Sequence, residues 1–335
     1  MNNPTYILGT GYYLPENCVD NHMITERINT SDEFIRARIG VETRFHADPT
    51  QSCSDLMLEA AKMAIEDAKI SIEDIDMLIV NTLSPDIHDP SQACILANKL
   101  GLAEVPAFDI RAQCSGLLYG INIAKNFVLA KEKRCILVVA GELLSKRMDT
   151  SDAGRNLAVM LGDGSGAVII GDKPNLNSLT GQILDIELNG DGRQWESLVT
   201  RVPGSAQRVF HRADDGDEGH SFMRMNGPNV FQHGVLKFCE IAQTILARNN
   251  LRVSDIDKFI VHQPNLRMLE EIQSQLDIDP KKMPVNVTSY GNMASASTAV
   301  TLAQSCHSSV IKSNEKVLIL SYGAGATWAG ALVQF

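Results

Sequence analysis

The segment Lys69 to Val80, KISIEDIDMLIV, returns as Asn250 to Val261, NLRVSDIDKFIV. Each copy follows an amphipathic helical pattern and leads into an apolar strand pattern, so Asn81 in the first copy corresponds to His262 in the second. A second echo follows in the same order. The Gly-rich stretch Leu161 to Ile170 (LGDGSGAVII), read here as a tight hairpin, resembles Tyr322 to Val333 (YGAGATWAGALV). Two matches in one order point to a duplicated unit of about 170 residues, because a repeated sequence marks a repeated supersecondary unit. A chance recurrence of IxxxDID before a strand is the competing explanation. No low-complexity linker separates the copies, so the halves, taken as 1–175 and 176–335, are expected to pack as one body.

Short apolar runs alternate with amphipathic stretches, the pattern of an α/β protein with largely parallel sheets. Asp76 to Val80, Cys135 to Ala140, Lys258 to Val261 and Val317 to Leu320 read as strands covered on both faces. Asp55 to Ala68 and Gly234 to Arg248 read as helices. Length is sufficient for a large core.

The formal net charge is −10 and the basic residues are dispersed, which argues against nucleic acid or an anionic membrane as partner. No apolar run reaches the roughly 18 to 20 residues of a membrane span, and no basic and apolar leader follows Met1, so a cytoplasmic protein is expected. The seven cysteines are odd in number and show no CxxC pair, which argues against a disulfide framework or a zinc site. The histidines show no metal-ligand spacing.

Cys114 lies where a short strand runs through Arg111, Ala112 and Gln113 into a helical segment. The positive end of a helix stabilises a thiolate, so a lowered pKa and a nucleophilic role are expected there. A buried structural cysteine would show the same local pattern. His262 stands at the carboxyl end of a strand, where ligand-binding residues of α/β sheets collect. It can move a proton or donate to developing charge, or it can simply cap the next helix. Asn292, in TSYGNMASASTAVTLA, opens a helix of small residues; its amide can donate to a carbonyl oxygen or cap that helix. GDGSG (162–166) and GAGATWAG (323–330) lack the features of a phosphate loop.

Taken together, Cys in AxCSG, His in HQxNxR, Asn in YGNxxSAS and the GxGxTWxG stretch resemble the β-ketoacyl-acyl carrier protein synthase III branch of the thiolase superfamily. The resemblance covers almost the entire chain. It implies a thiolase-like five-layered αβαβα fold from two duplicated halves, a homodimer, and an acyltransferase with catalytic Cys114, His262 and Asn292. It further implies acylation of Cys114 by an acyl-CoA, with the oxyanion held by the backbone amides of Cys114 and Ala324. Decarboxylative Claisen condensation with a malonyl thioester would follow, in fatty-acid biosynthesis or a related pathway. No cofactor is implied; the CoA thioester is substrate.

The match departs from the family pattern at the edges of the site. For CoA binding, Phe34 replaces a stacking Trp, Arg38 is kept, Ala153 follows Asp152 so that Arg155 stands in for an Arg, and Asn265 is retained. At the acyl carrier protein dock Arg267 is present, but Gln232, Glu270, Glu271, Ser274 and Gln275 stand where lysines are usual, which implies weakened docking. Asp89 occupies the position of an apolar residue that reaches across the dimer into the partner's acyl tunnel. These departures leave room for a specialised paralogue that condenses acyl chains or transfers acyl groups in secondary metabolism. A catalytically silent thiolase-fold binding subunit is the alternative of another class.

Overall fold

The computed structural model describes residues 4–175, 177–206 and 221–335. The first three residues and position 176, at the expected boundary between the halves, lie outside the described residues.

The strands are β1 (Tyr6–Tyr13), β2 (Asn17–Asp20), β3 (Thr43–His46), β4 (Met77–Asn81), β5 (Ala107–Ile110), β6 (Cys135–Glu142), β7 (Gly164–Gly171), β8 (Gly181–Gly190), β9 (Leu198–Val199), β10 (Arg224–Met225), β11 (Lys258–Val261), β12 (Lys316–Gly323) and β13 (Thr327–Gln334). Nine of them form one sheet in the order β11-β12-β13-β8-β1-β7-β6-β4-β5. Between β1 and β8 the pairing is confined to Tyr6 with Gln182 and Ile7 with Gly181, so this seam joins two half-sheets.

The half-sheets share one plan. In the first, β1 pairs antiparallel with β7, β7 antiparallel with β6, and β6 parallel with β4. In the second, β8 pairs antiparallel with β13, β13 antiparallel with β12, and β12 parallel with β11. Outside the first half-sheet lies the helix Cys53–Ala68, and outside the second the helix Gly227–Arg248. The helices Gly116–Leu129 and Ser295–His307 fill the space between the half-sheets. These are the five layers of the thiolase fold.

The burial pattern explains the apolar runs. On β4, Met77 and Ile79 face the central layer while Leu78 and Val80 face the outer helix, and all four are buried. On β12, Val317 and Ile319 face the centre and Leu318 and Leu320 the outside. A strand covered on both faces has no solvent side on which to place polar residues. The outer helix lies unusually close to β1, because a Cβ at Gly11 would sit 2.2 Å from the Ala60 carbonyl oxygen. Ala60, Ala61, Ala64 and Ala68 supply the matching small face.

One expectation needs correction. Residues 161–170 do not form a hairpin: Leu161 bridges to Asn292, and Gly164–Gly171 is a single extended strand. Its glycines admit neighbours, since a Cβ at Gly166 would lie 2.5 Å from the Ala299 Cβ. The later stretch is a true hairpin, with β12 and β13 paired from Lys316–Gln334 to Gly323–Thr327.

Candidate active site

The turn that carries Cys114 is held from three sides. Asn81, at the end of β4, donates to the Gln113 carbonyl (3.1 Å) and accepts from the Ala112 amide (3.1 Å). Gly116 leaves room for that amide, because a Cβ there would fall 1.9 Å from the Asn81 Cγ. From the β12–β13 hairpin, the Thr327 hydroxyl lies 2.6 Å from the Ser115 Oγ and donates to the Ala112 carbonyl at 3.1 Å. Gly323 packs on Cys114 itself, and a Cβ at this position would sit 2.7 Å from the Cys114 backbone nitrogen.

The Cys114 thiol is buried, and its pKa is pushed up to about 12, first by desolvation and then by the charge of Glu142. This reverses the expected lowering. Cys114 lies in a short 3₁₀ turn ahead of the helix Gly116–Leu129, and the helix end does not offset the removal of sulfur from water. In the free protein Cys114 is a thiol.

His262 follows β11, with its backbone amide bonded to the Leu320 carbonyl at 2.8 Å. Burial alone lowers its pKa to about 3, so the ring is neutral, and its Nδ1 has no hydrogen-bond partner among the described residues. An unpartnered buried nitrogen is costly and marks a group kept for something else. Asn292 is fixed by its backbone: its amide donates to Met160 (2.7 Å) and its carbonyl accepts from Gly162 (3.1 Å). Its side-chain oxygen accepts from the Ala294 amide at 2.8 Å, which directs the remaining amide group.

One cavity of about 690 Å³ is lined by Cys114, His262, Asn292 and Ala324 together. Arg38, Asn265 and Arg267 line it too. Asn265 is also a helix cap, accepting from the Met268 amide at 2.9 Å. Arg267 donates through Nε to the Ala37 carbonyl at 2.8 Å. Phe34 and Arg155 are not in the lining; they are brought to each other, with the Arg155 guanidinium 5.5 Å from the Phe34 ring centre. Asp89 also lies outside the lining, and its side chain is 91% exposed. Among the described residues no cluster of three or more acidic, His or Cys side chains is placed to hold a metal ion.

Sequence reasoning missed two residues. Asn81 was matched to His262 through the repeat, yet its clamp on the Cys114 turn was not foreseen. Glu142, the last residue of β6, is fully buried, and its carboxylate accepts from the hydroxyls of Ser295 (2.6 Å), Ser84 (2.7 Å) and Thr82 (3.3 Å) and from the Leu83 amide (3.1 Å). A carboxylate closing an apolar run reads in the sequence as a strand emerging into water.

Residues 108–192 match the family model described as 3-oxoacyl-[acyl-carrier-protein (ACP)] synthase III, and residues 246–335 match its C-terminal counterpart. The chain is 37% identical to a β-ketoacyl-[acyl-carrier-protein] synthase III of Clostridioides difficile strain 630, covering 100% of this chain and 99% of the relative. The chain belongs to the β-ketoacyl-acyl carrier protein synthase III family. It is accordingly a condensing acyltransferase. A family member of the same description from Caldanaerobacter subterraneus subsp. tengcongensis is 38% identical over 98% of this chain and 97% of its own. Among solved family structures, the 3-oxoacyl-[acyl-carrier-protein] synthase III of Aquifex aeolicus VF5 superposes with a TM-score of 0.88 at 30% identity, covering 99% of this chain and 100% of that one. The priming β-ketosynthase of the R1128 polyketide pathway gives a TM-score of 0.88 at 28% identity, covering 98% of this chain and 96% of its own. No helix among the described residues is long and apolar enough to cross a membrane.

Proposed function

We propose that the chain is a cytoplasmic, homodimeric ketosynthase III that is primed by an acyl-CoA and condenses the acyl group with a malonyl thioester. The observation that carries this reading is the single cavity shared by Cys114, His262, Asn292 and Ala324. The Cys114 sulfur attacks the acyl thioester carbonyl, the tetrahedral oxyanion is held by the amides of Cys114 and Ala324, and the CoA thiol leaves with the proton. A malonyl thioester then loses carbon dioxide. Its oxygen, now an enolate, accepts hydrogen bonds from neutral His262 and from Asn292, and its carbon attacks the acyl-cysteine to release the sulfur. Burial favours this division, since an imidazole held neutral is a donor at one nitrogen and cannot serve as a cationic acid.

Arg38 and Asn265 are assigned to CoA from the cavity wall, with the Phe34–Arg155 pair outside it. Arg267 is assigned to carrier-protein docking. The halves 1–175 and 176–335 divide the work, the first supplying the nucleophile and the second the enolate donors. Intact-protein mass spectrometry with a panel of acyl-CoAs tests the reading: one acyl mass should appear at Cys114 and vanish in Cys114→Ser. Acylation elsewhere, or none with any CoA ester, would refute it.

A specialised paralogue is favoured by one observation. Glu270, Ser274 and Gln275 are exposed on the helix Leu266–Leu276, which begins beside Arg267, where an acidic carrier would meet no lysines. In that version Asp89 acts from the partner subunit as a base. Asp89→Asn should then lose condensation and keep Cys114 acylation, and unaltered condensation would remove this version.

A further inference from the structure

Arg44 is among the largest side chains that the fold encloses completely, and the mechanism above does not use it. Its guanidinium stays cationic, since burial lowers its pKa only to about 10. A charge kept out of water is costly unless it is well bonded. Nη1 donates to the Asn21 Oδ1 at 2.8 Å and to the Val19 carbonyl at 3.4 Å, and Nη2 donates to the Val159 carbonyl at 2.6 Å. Nε has no hydrogen-bond partner among the described residues.

Arg44 belongs to β3, and this part of the chain binds both segments that meet at Asn292. On one side Arg44 holds the Val159 carbonyl, and the Phe45 carbonyl accepts from the Asp163 amide at 2.8 Å. On the other, the Glu42 amide donates to the Thr288 carbonyl at 2.7 Å and the Thr43 hydroxyl to the Ser289 carbonyl at 2.7 Å. The two segments then pair with each other through the Asn292 backbone, which is bonded to the Met160 carbonyl, one residue beyond Val159, and to the Gly162 amide. Arg44 stands at that junction: a Cβ at Gly291 would lie 3.1 Å from the Arg44 Cβ, and one at Gly162 3.3 Å from it. The turn after Asn292 needs such support. Ala294 has a φ of +42°, which residues with a side chain rarely adopt and keep only where their surroundings over-determine it. Arg44 does not line the cavity, whereas Met160, Leu161, Asn292 and Ala294 do.

We propose that Arg44 is a positioning residue for Asn292: its buried guanidinium fixes segment 159–162, on which the Asn292 backbone is seated, and so aims the Asn292 amide at the enolate oxygen. The proposal deepens the reading of Asn292 as an enolate donor and rests on it. It gives Arg44 an effect on decarboxylative condensation and none on acylation, because the Cys114 turn is held separately, by Asn81 and Thr327.

The test is Arg44→Lys in the full chain, which keeps the charge but loses the planar fork that reaches Asn21 and Val159 at once. Two rates are read. One is Cys114 acylation by the acyl-CoA of the panel that labels it best, followed by intact mass. The other is carbon dioxide release by the acylated protein from carboxyl-labelled malonyl-CoA and malonyl carrier protein, run in parallel. Acylation should be unchanged, and release at saturating malonyl thioester should fall about 100-fold, the loss that a misplacement of about 1 Å brings. Arg44→Lys combined with Asn292→Ala should release carbon dioxide no more slowly than Asn292→Ala alone, since a residue that acts through Asn292 then has nothing left to position. Unchanged release, equal losses in both rates, or losses that multiply in the double variant overturn the proposal. Where Arg44→Lys is not recovered folded, Asn21→Ala frees the same guanidinium and is judged by the same two rates and the same pairing with Asn292→Ala. Asn292→Ala by itself separates the two levels. Normal release in that variant sinks the enolate assignment, whereas slow release there with normal release in Arg44→Lys sinks only the positioning by Arg44.

Discussion

Asn81 and His262 take corresponding places in the two half-sheets, at the carboxyl ends of β4 and β11, yet they are used in opposite ways. Asn81 binds the chain at both ends of its amide, whereas His262 leaves its Nδ1 without a partner among the described residues. The duplicated position holds the Cys114 turn in one half and carries a ring with an unpartnered buried nitrogen, on a residue that lines the cavity, in the other.

Asn81→Ala should therefore damage the site from beneath. It leaves the Ala112 amide unsatisfied, at a cost of about 1–3 kcal/mol for a buried unpaired group, and takes from the Gln113 carbonyl one of its two donors, the Gly116 amide remaining. The Cys114 acylation rate should fall well beyond what the loss of stability explains. Thermal melting and single-turnover acylation, measured together, check this; a lower Tm with unchanged acylation would contradict the clamp.

Gly323→Ala places a methyl group 2.7 Å from the Cys114 nitrogen and 3.0 Å from its Cβ. The neighbour is backbone, so the Cys114 turn must move away from the hairpin. The expected outcome is loss of acyl transfer by about 100-fold, in line with removal of an oxyanion donor, in a protein that still folds. Normal acylation in the variant would show that the approach is not needed.

His262 makes the fold sensitive to acid. Its folded pKa is lowered to about 3 from an ordinary value near 6.5, so the unfolded chain binds the proton first. Its contribution to stability is intact above about pH 6.5 and declines as the pH falls toward 3, by up to roughly 1.4 kcal/mol per pH unit. Urea midpoints at neutral and mildly acid pH should diverge in the wild type and diverge less in His262→Gln. An equal divergence would assign the acid sensitivity to other groups.

The face proposed for carrier docking gives a kinetic prediction. Lysines at positions 270 and 274 should raise kcat/KM for a malonyl carrier protein, mainly through faster association, and added salt should shrink the gain as it screens surface charge beyond about 10 Å. Stopped-flow binding at two ionic strengths checks it; a gain insensitive to salt would point to packing instead.

Much of this was legible beforehand, and the rest for definable reasons. Lys258–Val261 was read to the residue, because a strand covered on both faces has no polar break before its end. The glycines of 161–170 misled, since the same residue serves a tight turn and a close approach, and only the Ala299 helix lying on Gly166 distinguishes them. The position of Cys114 ahead of a helix was visible, but not the burial and the Glu142 charge that reverse its expected acidity. Desolvation depends on what folds over a residue, which local sequence does not record.

The bond between Ser115 and Thr327 closes a loop of more than 200 residues. Together with Gly323 on Cys114, it means that an isolated first half holds the thiol but only one part of the cavity wall around it. Contacts of such separation form late, after the entropy of a long closure has been overcome. A folding intermediate with only the first half-sheet in place would carry a cysteine in an ordinary environment, and the reactive centre would arise in the same step that joins the two half-sheets.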